Sequence, residues 1–430
     1  MSMKRFTKSN AFFKKVIKVI PLASQTFSKS CLQYVKGHAP LFAQQGKGAL
    51  LTDIDGNTYV DMIGGLLPVV LGYQYKAVDD AIRKQLKKGI IFSLSSPLEY
   101  ELAMLLKKHI PCAEMVRFGK NGSDATTGAI RVARAITGRD YVAVCGYHGW
   151  HDWYIGSTTR DLGVPLEVKK LTHKFVYNDT DSLKALLTKY PNKFAAVILE
   201  PENYEPPQNN FLRQVVDVAH QHGALAIFDE VITGFRWNLG GAQKYYGVTP
   251  DLASFGKSMA NGMPISALVG KKKYMKVVDD IFYSFTQGGE ALSLVAAIAT
   301  IKEMEKKPVI GKLWALGGKL RKGVIGLIEK HGLTETISIK GRPCWHLFAF
   351  HATAGFSALE LKTYVQQELL QAGFLWFGSH NMSFSHTDAQ MQSLLFAYDN
   401  IFRDLKTHIT KKALRKAIKG GLITDVFKVR

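Results

Sequence analysis

FAAVILEP at residues 194–201 and ALAIFDEV at 224–231 are two short apolar runs, separated by FLRQVVDVAHQHG at 211–223. Each run has the length and β-branched content of a strand buried on both faces. Between them Phe211, Val215 and Val218 fall on one face of a helix, and Gly223 is its stop signal. Strand, helix and strand at this spacing predict a right-handed βαβ unit in a parallel sheet. Ligands of such sheets collect at the carboxyl ends of the strands, so Glu200 and Asp229 stand where chemistry is usually placed.

Working outward, 430 residues that are 47% hydrophobic and 11% aromatic can build a large core, divided between a major and a minor domain. A second clear helix, HTDAQMQSLLFAYDNIFRDL at 386–405, carries a capping box of Thr387 and Gln390. Its apolar stripe is Met391, Leu394, Leu395, Tyr398, Ile401, Phe402 and Leu405. It reads as the closing helix of a small C-terminal domain. No repeat and no low-complexity tract divides the chain. The longest smooth apolar run, MIGGLLPVVLGY at 62–73, is broken by Gly64, Gly65 and Pro68 and is too short to span a bilayer.

Lysine and arginine number 56 against 35 acids, giving a net charge of +21, and residues 1–52 contain no acid. The N-terminus MSMKRFTKSNAFFKKVIKVI interleaves lysines with Phe12, Phe13, Val16, Ile17, Val19 and Ile20. It fits either a basic amphipathic helix for an anionic surface or transit, or a first helix whose apolar stripe lies on the domain. KTHITKKALRKAIKG at 406–420 invites the same two readings. Lysines interrupt both stretches, which is unlike a secretory signal. Cys31, Cys112, Cys145 and Cys344 make no CxxC pair, and they suggest reduced thiols in a cytoplasmic compartment.

Four features bear on chemistry. In PDLASFGKSMANGMP at 250–264, Lys257 sits among small and apolar residues. A lysine desolvated there loses proton affinity, and its amine can attack a carbonyl to form a Schiff base; alone, it is also compatible with a snorkelling surface lysine. Asp229 ends its strand, where a carboxylate can hold a cationic ring nitrogen or cap a loop. In GKNGSDATTGAIRVARAITGRD at 119–140, Gly122 and Ser123 open a helix whose free N–H groups suit a phosphate; an ordinary capped helix is the alternative, and no P-loop lysine follows. In CGYHGWHDW at 145–153, Tyr147 can stack on a planar cofactor. Cys145, His148 and His151 lack a second cluster that would complete a metal site, so no metal is expected. Amine, acid, phosphate cradle and stacking ring together are the parts that pyridoxal 5′-phosphate requires.

FDEVITGFRWNLGGAQKYYGVTPDLASFGKSMANGMP at 228–264, with LTDIDGNTYVDMIGG, NGSDAT, GYHGWHD and FTQGGEALSL, resembles the class III aminotransferases of fold type I. Among them it is similar to the glutamate-1-semialdehyde 2,1-aminomutase branch, over about residues 18–405. The resemblance implies an α/β fold: a large domain with a mostly parallel seven-stranded sheet between helices, and a smaller α+β C-terminal domain. The boundaries expected are an arm at 1–60 packing with the small domain, a cofactor domain at 61–305, a small domain at 306–405 and a basic tail at 406–430. It implies that Lys257 carries the cofactor and shuttles a proton, and that Asp229 keeps the pyridine nitrogen protonated. Gly122 and Ser123 would bind the phosphate, Tyr147 and Val231 would cover the ring faces, and Glu200 and Asn203 would supply polar contacts. Thr286 would reach the phosphate of a neighbouring subunit, implying a homodimer with shared sites.

Departures from the aminomutase pattern matter. Lys29 stands where an arginine binds the substrate carboxylate, and lysine lacks the bidentate fork. Leu66 and Leu67 replace the tryptophan region, the segment IGSTTRDLGVP after GYHGWHD is short, and FGSHNMSF at 377–384 lacks an expected acid. Arg236, Ser383 and His386 are candidates for the substrate pocket by position. The expectation is therefore a ping-pong transaminase using a donor such as L-glutamate and a carbonyl acceptor. The alternatives are the aminomutase and, from another class, a protein that binds an anionic surface or nucleic acid through its basic ends. No nucleic-acid motif accompanies the charge.

Overall fold

The computed structural model describes residues 3–424, with side chains from Arg5 onward, so Met1, Ser2 and the last six residues of the basic tail lie outside the described part. Contacts divide the chain into two compact units, one of residues 76–310 and one that joins the segment up to residue 75 with the segment from 311.

The first unit is built on seven strands: β1 Met115–Gly119, β2 Tyr141–Cys145, β3 Thr172–Lys174, β4 Phe194–Leu199, β5 Leu225–Asp229, β6 Leu252–Phe255 and β7 Ser266–Gly270. Their spatial order is β1-β7-β6-β5-β4-β2-β3. The strand β7 is antiparallel to both its neighbours, and every other pairing is parallel, so the sheet is mostly parallel as expected. All residues of β4 and β5 are buried, and Ala196 pairs with Leu225 through to Leu199 with Phe228.

Two helices show how the sheet is covered. Helix α1, Gly122–Thr137, lays Ala125, Ala129, Val132 and Ala133 against Val142, Val144, Ile198 and Ile227 of the sheet. Its small side chains allow the close approach that a helix opening at the sheet edge needs. Helix α2, Phe211–Gln221, connects β4 to β5 and buries Leu212, Val216 and Ala219 in addition to Phe211, Val215 and Val218. Each fully buried aliphatic side chain contributes about 1.5–3 kcal/mol of transfer free energy. The chain leaves α2 through Gly223 at φ +70°, a left-handed turn that glycine adopts at little cost.

One buried carboxylate ties the middle of this sheet together. Asp251, directly before β6, accepts from the Ala226 N–H of β5 at 2.9 Å, from Lys271 Nζ after β7 at 2.7 Å and from His220 Nε2 of α2 at 2.7 Å. Burial alone would push its carboxyl up, but the lysine, the amide and the imidazole together hold it below the ordinary range.

The second unit has an antiparallel meander of Ala43–Lys47, Leu50–Asp53 and Thr58–Asp61, which Phe374–Leu375 extends in parallel. A separate antiparallel sheet orders Ile337–Arg342, Trp345–Phe350 and Ser379–Asn381. The capping box is present: the Thr387 hydroxyl accepts from Gln390 N at 3.2 Å, and Gln390 Oε1 accepts from Thr387 N at 3.0 Å. The helix it starts runs to Thr410, a turn beyond the expected end, because Ile409 is also buried. Leu395 is only partly buried, and the rest of the stripe faces inward.

Buried against this unit is a row of polar groups. Tyr398 donates its hydroxyl to His380 Nε2 at 2.8 Å, His380 Nδ1 donates to His346 Nε2 at 2.8 Å, and His346 Nδ1 donates to the Pro343 carbonyl at 3.2 Å. Desolvation holds His346 down at about 4.

Both basic ends are anchored here. Helix Thr7–Val16 is held at its start by Asp55, whose carboxylate accepts from the N–H groups of Lys8 and Ser9 at 2.6 and 2.8 Å. Of the expected apolar stripe only Val16 is buried, while Phe12, Ile17 and Val19 are exposed. The helical period explains the correction, since Ser9, Phe13 and Val16 share the inner face and the other apolar residues fall outside it. The tail is tied down by buried Leu414 and Ile423 and by Arg415, which pairs with Glu360 at 2.5 Å. Among the described residues no helix is long and apolar enough to cross a membrane.

Replacing Asp251 with asparagine is expected to lower the stability of the folded protein by about 2 kcal/mol at neutral pH, since a charged acceptor of three donors is lost. A carboxyl held low stabilises the fold above its unfolded-state value and loses that contribution as pH falls through its folded value. The gap between wild type and Asp251→Asn in urea denaturation should therefore narrow below about pH 4.

Candidate active site

The expected site residues of the first unit converge on the carboxyl ends of its parallel strands. Asp229 is the last residue of β5, Glu200 follows β4, and Lys257 stands two residues past the end of β6. Gly146 and Tyr147 follow β2, and α1 begins three residues after β1. The strands fix the rows, and short turns aim the side chains inward.

Lys257 takes a left-handed backbone, φ +37°, between Gly256 and the buried Ser258, and Asn261 at φ +47° turns the chain away. A non-glycine residue held there is strained, a common property of functional positions. Desolvation pushes its amine below the ordinary lysine range against the pull of the Asp229 and Glu200 carboxylates, and Arg236 pushes in the same direction as burial. Arg236 is itself buried, with Nη2 3.4 Å from Ser258 Oγ.

Asp229 is buried and accepts from His148 Nδ1 at 2.8 Å and from Val231 N at 3.2 Å. His148 is buried, lies parallel to Trp153 and meets Tyr154 edge-on, which fixes the ring plane. Glu200 is a hub: its Oε2 accepts from Tyr147 N at 2.9 Å and from Asn203 Nδ2 at 2.6 Å. Burial and the neighbouring Asp229 raise its carboxyl above the ordinary range, and His148, the Tyr147 amide and Lys257 oppose the rise.

At the start of α1 the first N–H groups have no preceding turn to bond. Asp124 instead accepts from Lys120 N and Asn121 N at 2.8 and 2.7 Å, shaping the entry. A Cβ on Gly122 would stand 3.0 Å from Val231 Cγ1, so Val231 closes one side of this helix end. Ser123 Oγ accepts from Trp150 N at 3.2 Å, and Gly149 passes so close that a Cβ would lie 2.3 Å from the same oxygen. Tyr147 is 41% exposed and packs edge-on against Tyr154, leaving ring surface open.

The remaining expected residues lie on other segments of the chain. Thr286 is exposed in the loop before helix Ala291–Lys306. Lys29 is exposed and Ser383 buried, both in the second unit, where the His386 ring accepts from Ser383 N at 2.9 Å. His148 was missed as an aspartate partner, because the sequence offered it only as a metal candidate. Among the described residues no three His, Cys, Asp or Glu side chains form a group that could hold a metal, and His151 bonds Thr127 Oγ1 at 2.6 Å.

The parts fit pyridoxal phosphate on their own geometry: a desolvated amine, a buried acid held by an imidazole, and a helix N-terminus kept clear of side chains. Two buried atoms, His148 Nε2 and Asn203 Oδ1, have no partner among the described residues, leaving polar capacity in the same place.

Comparison with known proteins agrees. The family model described as aminotransferase class-III matches residues 33–383. The chain is 38% identical over 368 residues to 3-aminobutyryl-CoA aminotransferase of Cloacimonas acidaminovorans, covering 83% of this chain and 88% of that protein. It is 40% identical over 308 residues to glutamate-1-semialdehyde 2,1-aminomutase of Archaeoglobus fulgidus, covering 67% and 73%. The FumI protein of Sphingopyxis sp. MTA144, solved in its PLP internal aldimine form, aligns with a TM-score of 0.87 at 28% identity, covering 94% of this chain and 98% of that one.

A pair of glycines separates backbone strain from steric conflict. Gly146 has φ +110° and a Cβ there would sit 2.6 Å from Glu200 Oε2, whereas Gly163 has φ +88° and nothing within 4 Å. Gly163→Ala is expected to lose about 1 kcal/mol and Gly146→Ala roughly 1–3 kcal/mol more, read by chemical denaturation of the two variants.

Proposed function

This chain belongs to the class III aminotransferases, enzymes that depend on pyridoxal phosphate, and from that premise we propose that it moves an amino group from a donor such as L-glutamate to a carbonyl acceptor in a ping-pong cycle. The observation that carries the reading is the desolvated Lys257 amine, its pKa lowered although Asp229 and Glu200 act on it. Pyridoxal phosphate supplies an aldehyde that amines condense with and a ring that accepts the electron pair left when a Cα proton departs.

The chain's own residues do the rest. Lys257, its amine held below the ordinary lysine range by burial, would hold the cofactor and, when free of it, would take and return the Cα proton of the substrate. Asp229 keeps a proton on the ring nitrogen, and His148 Nδ1–H holds that carboxylate in line. Gly122 and Ser123 receive the phosphate with backbone N–H groups and a hydroxyl. Tyr147 and Val231 would cover the ring of the bound cofactor, and Glu200 with Asn203 would offer it polar contacts. Arg236 is the guanidinium suited to a substrate carboxylate, and Lys29 and Ser383 are assigned to the substrates from the sequence alone.

Transamination between two molecules is favoured over amino transfer within one by this chain's departures from the mutase pattern. Lys29 is exposed, and Leu66 and Leu67 occupy left-handed backbone at φ +79° and +84° where the mutase has its tryptophan region. The longer match to 3-aminobutyryl-CoA aminotransferase supports the same side. The working protein is a homodimer in which Thr286 completes its neighbour's site. Exposed Ile91, Phe92, Leu94 and Phe282 supply an apolar surface for that contact. Its compartment is cytoplasmic, which agrees with four free thiols.

Cofactor-loaded protein mixed with L-glutamate alone should release 2-oxoglutarate in proportion to sites while its visible band disappears. Lys257→Ala should lower turnover about a hundredfold or more and leave the fold intact. Conversion of glutamate 1-semialdehyde with no second substrate, and none of glutamate, would decide for the mutase. Sedimentation should give a mass about twice 47.8 kDa, and Leu94→Asp with Phe282→Asp should shift it toward the monomer.

A further inference from the structure

Helix Thr7–Val16 carries its helical hydrogen bonding on to Ile20, through Ile17 N to Phe13 O at 3.0 Å and Ile20 N to Val16 O at 2.8 Å. Ser9, Phe13 and Val16 face inward. Two adjoining stripes face out. Thr7, Ala11, Lys14 and Lys18 form one, and Lys8, Phe12, Lys15 and Val19 form the other, each at spacings of four and three. All eight are exposed, and among the described residues none of the four lysines is in an ion pair.

The C-terminal tail meets the same loop as this helix. Asn10 Nδ2 donates to the Gly37 carbonyl at 3.2 Å, while Thr424 N donates to the Leu32 carbonyl at 2.8 Å and Gln33 Nε2 to the Thr424 carbonyl at 2.7 Å. Gly420 packs so tightly on this loop that a Cβ would lie 2.5 Å from the Lys36 carbonyl. Gln367 fixes the tail just before, accepting from Lys419 N at 2.7 Å and donating to the Ala417 carbonyl at 3.1 Å. Exposed Lys36, Lys416 and Lys419 are thereby set on ordered backbone beside the helix, with Leu422 exposed among them. Helix and tail both contact the loop at residues 32–37; no acid occurs in the first 52 residues, and the acids that touch these segments among the described residues, Asp55 at the helix start and Glu360 on Arg415, leave the named lysines unpaired.

We propose that this face docks the enzyme on a membrane surface rich in anionic lipid. The charge fits phosphate headgroups, and Val19, Leu422 and the exposed part of Phe12, whose ring also meets Phe42 edge-on at 4.9 Å, fit the boundary between headgroups and acyl chains, as in helices that lie in an interface. A nucleic acid would use the lysines alone and leave these apolar side chains in water. The face contains none of the residues assigned to amino transfer, so docking places the enzyme without altering its chemistry.

The test uses full-length, cofactor-loaded protein in co-sedimentation with vesicles of phosphatidylcholine, with and without about a third phosphatidylglycerol. Binding should require the anionic lipid and weaken with salt. It should fall about tenfold or more in Lys14→Glu, Lys15→Glu, Lys18→Glu protein and also in a Lys416→Glu, Lys419→Glu variant. Phe12→Ser should weaken it several-fold at unchanged salt sensitivity, and amino transfer in solution should be unchanged in all three. Equal binding to both vesicles, or anionic binding that survives both charge reversals, overturns the proposal. So does tighter binding of a single-stranded oligonucleotide that is indifferent to Phe12→Ser, which would assign the face to nucleic acid.

Discussion

The removal of one ammonium group from water is the constraint on which the site depends. Lys257 can act as an amine because burial lowers its hold on a proton further than two carboxylates raise it. That balance is delicate, since a carboxylate in direct contact would pin the charge. Glu200 is occupied instead by the Tyr147 amide and Asn203, and Asp229 by His148 and Val231. Each acid is committed to its own donors, and the lysine feels them as field rather than as partner. Positioning them takes the ends of five strands, and the Asp251 cluster fastens two of these, β5 and β6, to α2 and to the end of β7 at the opposite end of the sheet.

Close approach is the second theme. Gly122, Gly146 and Gly149 leave no room for a Cβ beside Val231, Glu200 and Ser123. These absences of side chain are as much a part of the site as the lysine, because each lets a backbone or a hydroxyl reach inward. Glu230, next to Asp229, shows the same economy in the loop that follows: it is wholly buried, accepts from Ala242 N and Gln243 N, and desolvation raises its carboxyl to about 7. The acid that faces the site and the acid that holds the loop are adjacent in sequence and point to different tasks.

Much of this was legible in the residues. The alternation of apolar runs and helical faces is strong between 194 and 231, because both strands are buried on two sides and carry no polar interruption. The capping box at Thr387 and the glycine stop at Gly223 were equally plain. His148 was not, since nothing in GYHGWHD tells which ring turns toward a strand two positions away in the sheet. The N-terminal helix misled for a related reason: six apolar residues were visible, but their spacing scatters them around the helix, and only the packed structure shows which face is covered. Lys29 and Thr286 came from likeness and Ser383 from position, and none of the three has a local signal. Their neighbours in this chain explain them as a turn lysine, a serine on a histidine and a loop threonine.

The row from Tyr398 through His380 and His346 to Pro343 has a direction. A carbonyl can only receive, so His346 must donate from Nδ1, and that choice settles each tautomer up to the phenol. Such a row has one occupied state and no vacancy: a further proton on either imidazole sets two donors head to head in a dry interior. Arg321 lies near enough to His346, and His386 to His380, to make that proton still less welcome. Since the unfolded chain accepts it near pH 6.5 and the folded chain refuses it until about 4, mild acid draws the equilibrium toward unfolding. The response of this unit to mild acid is thus written in part in its interior grammar of donors and acceptors.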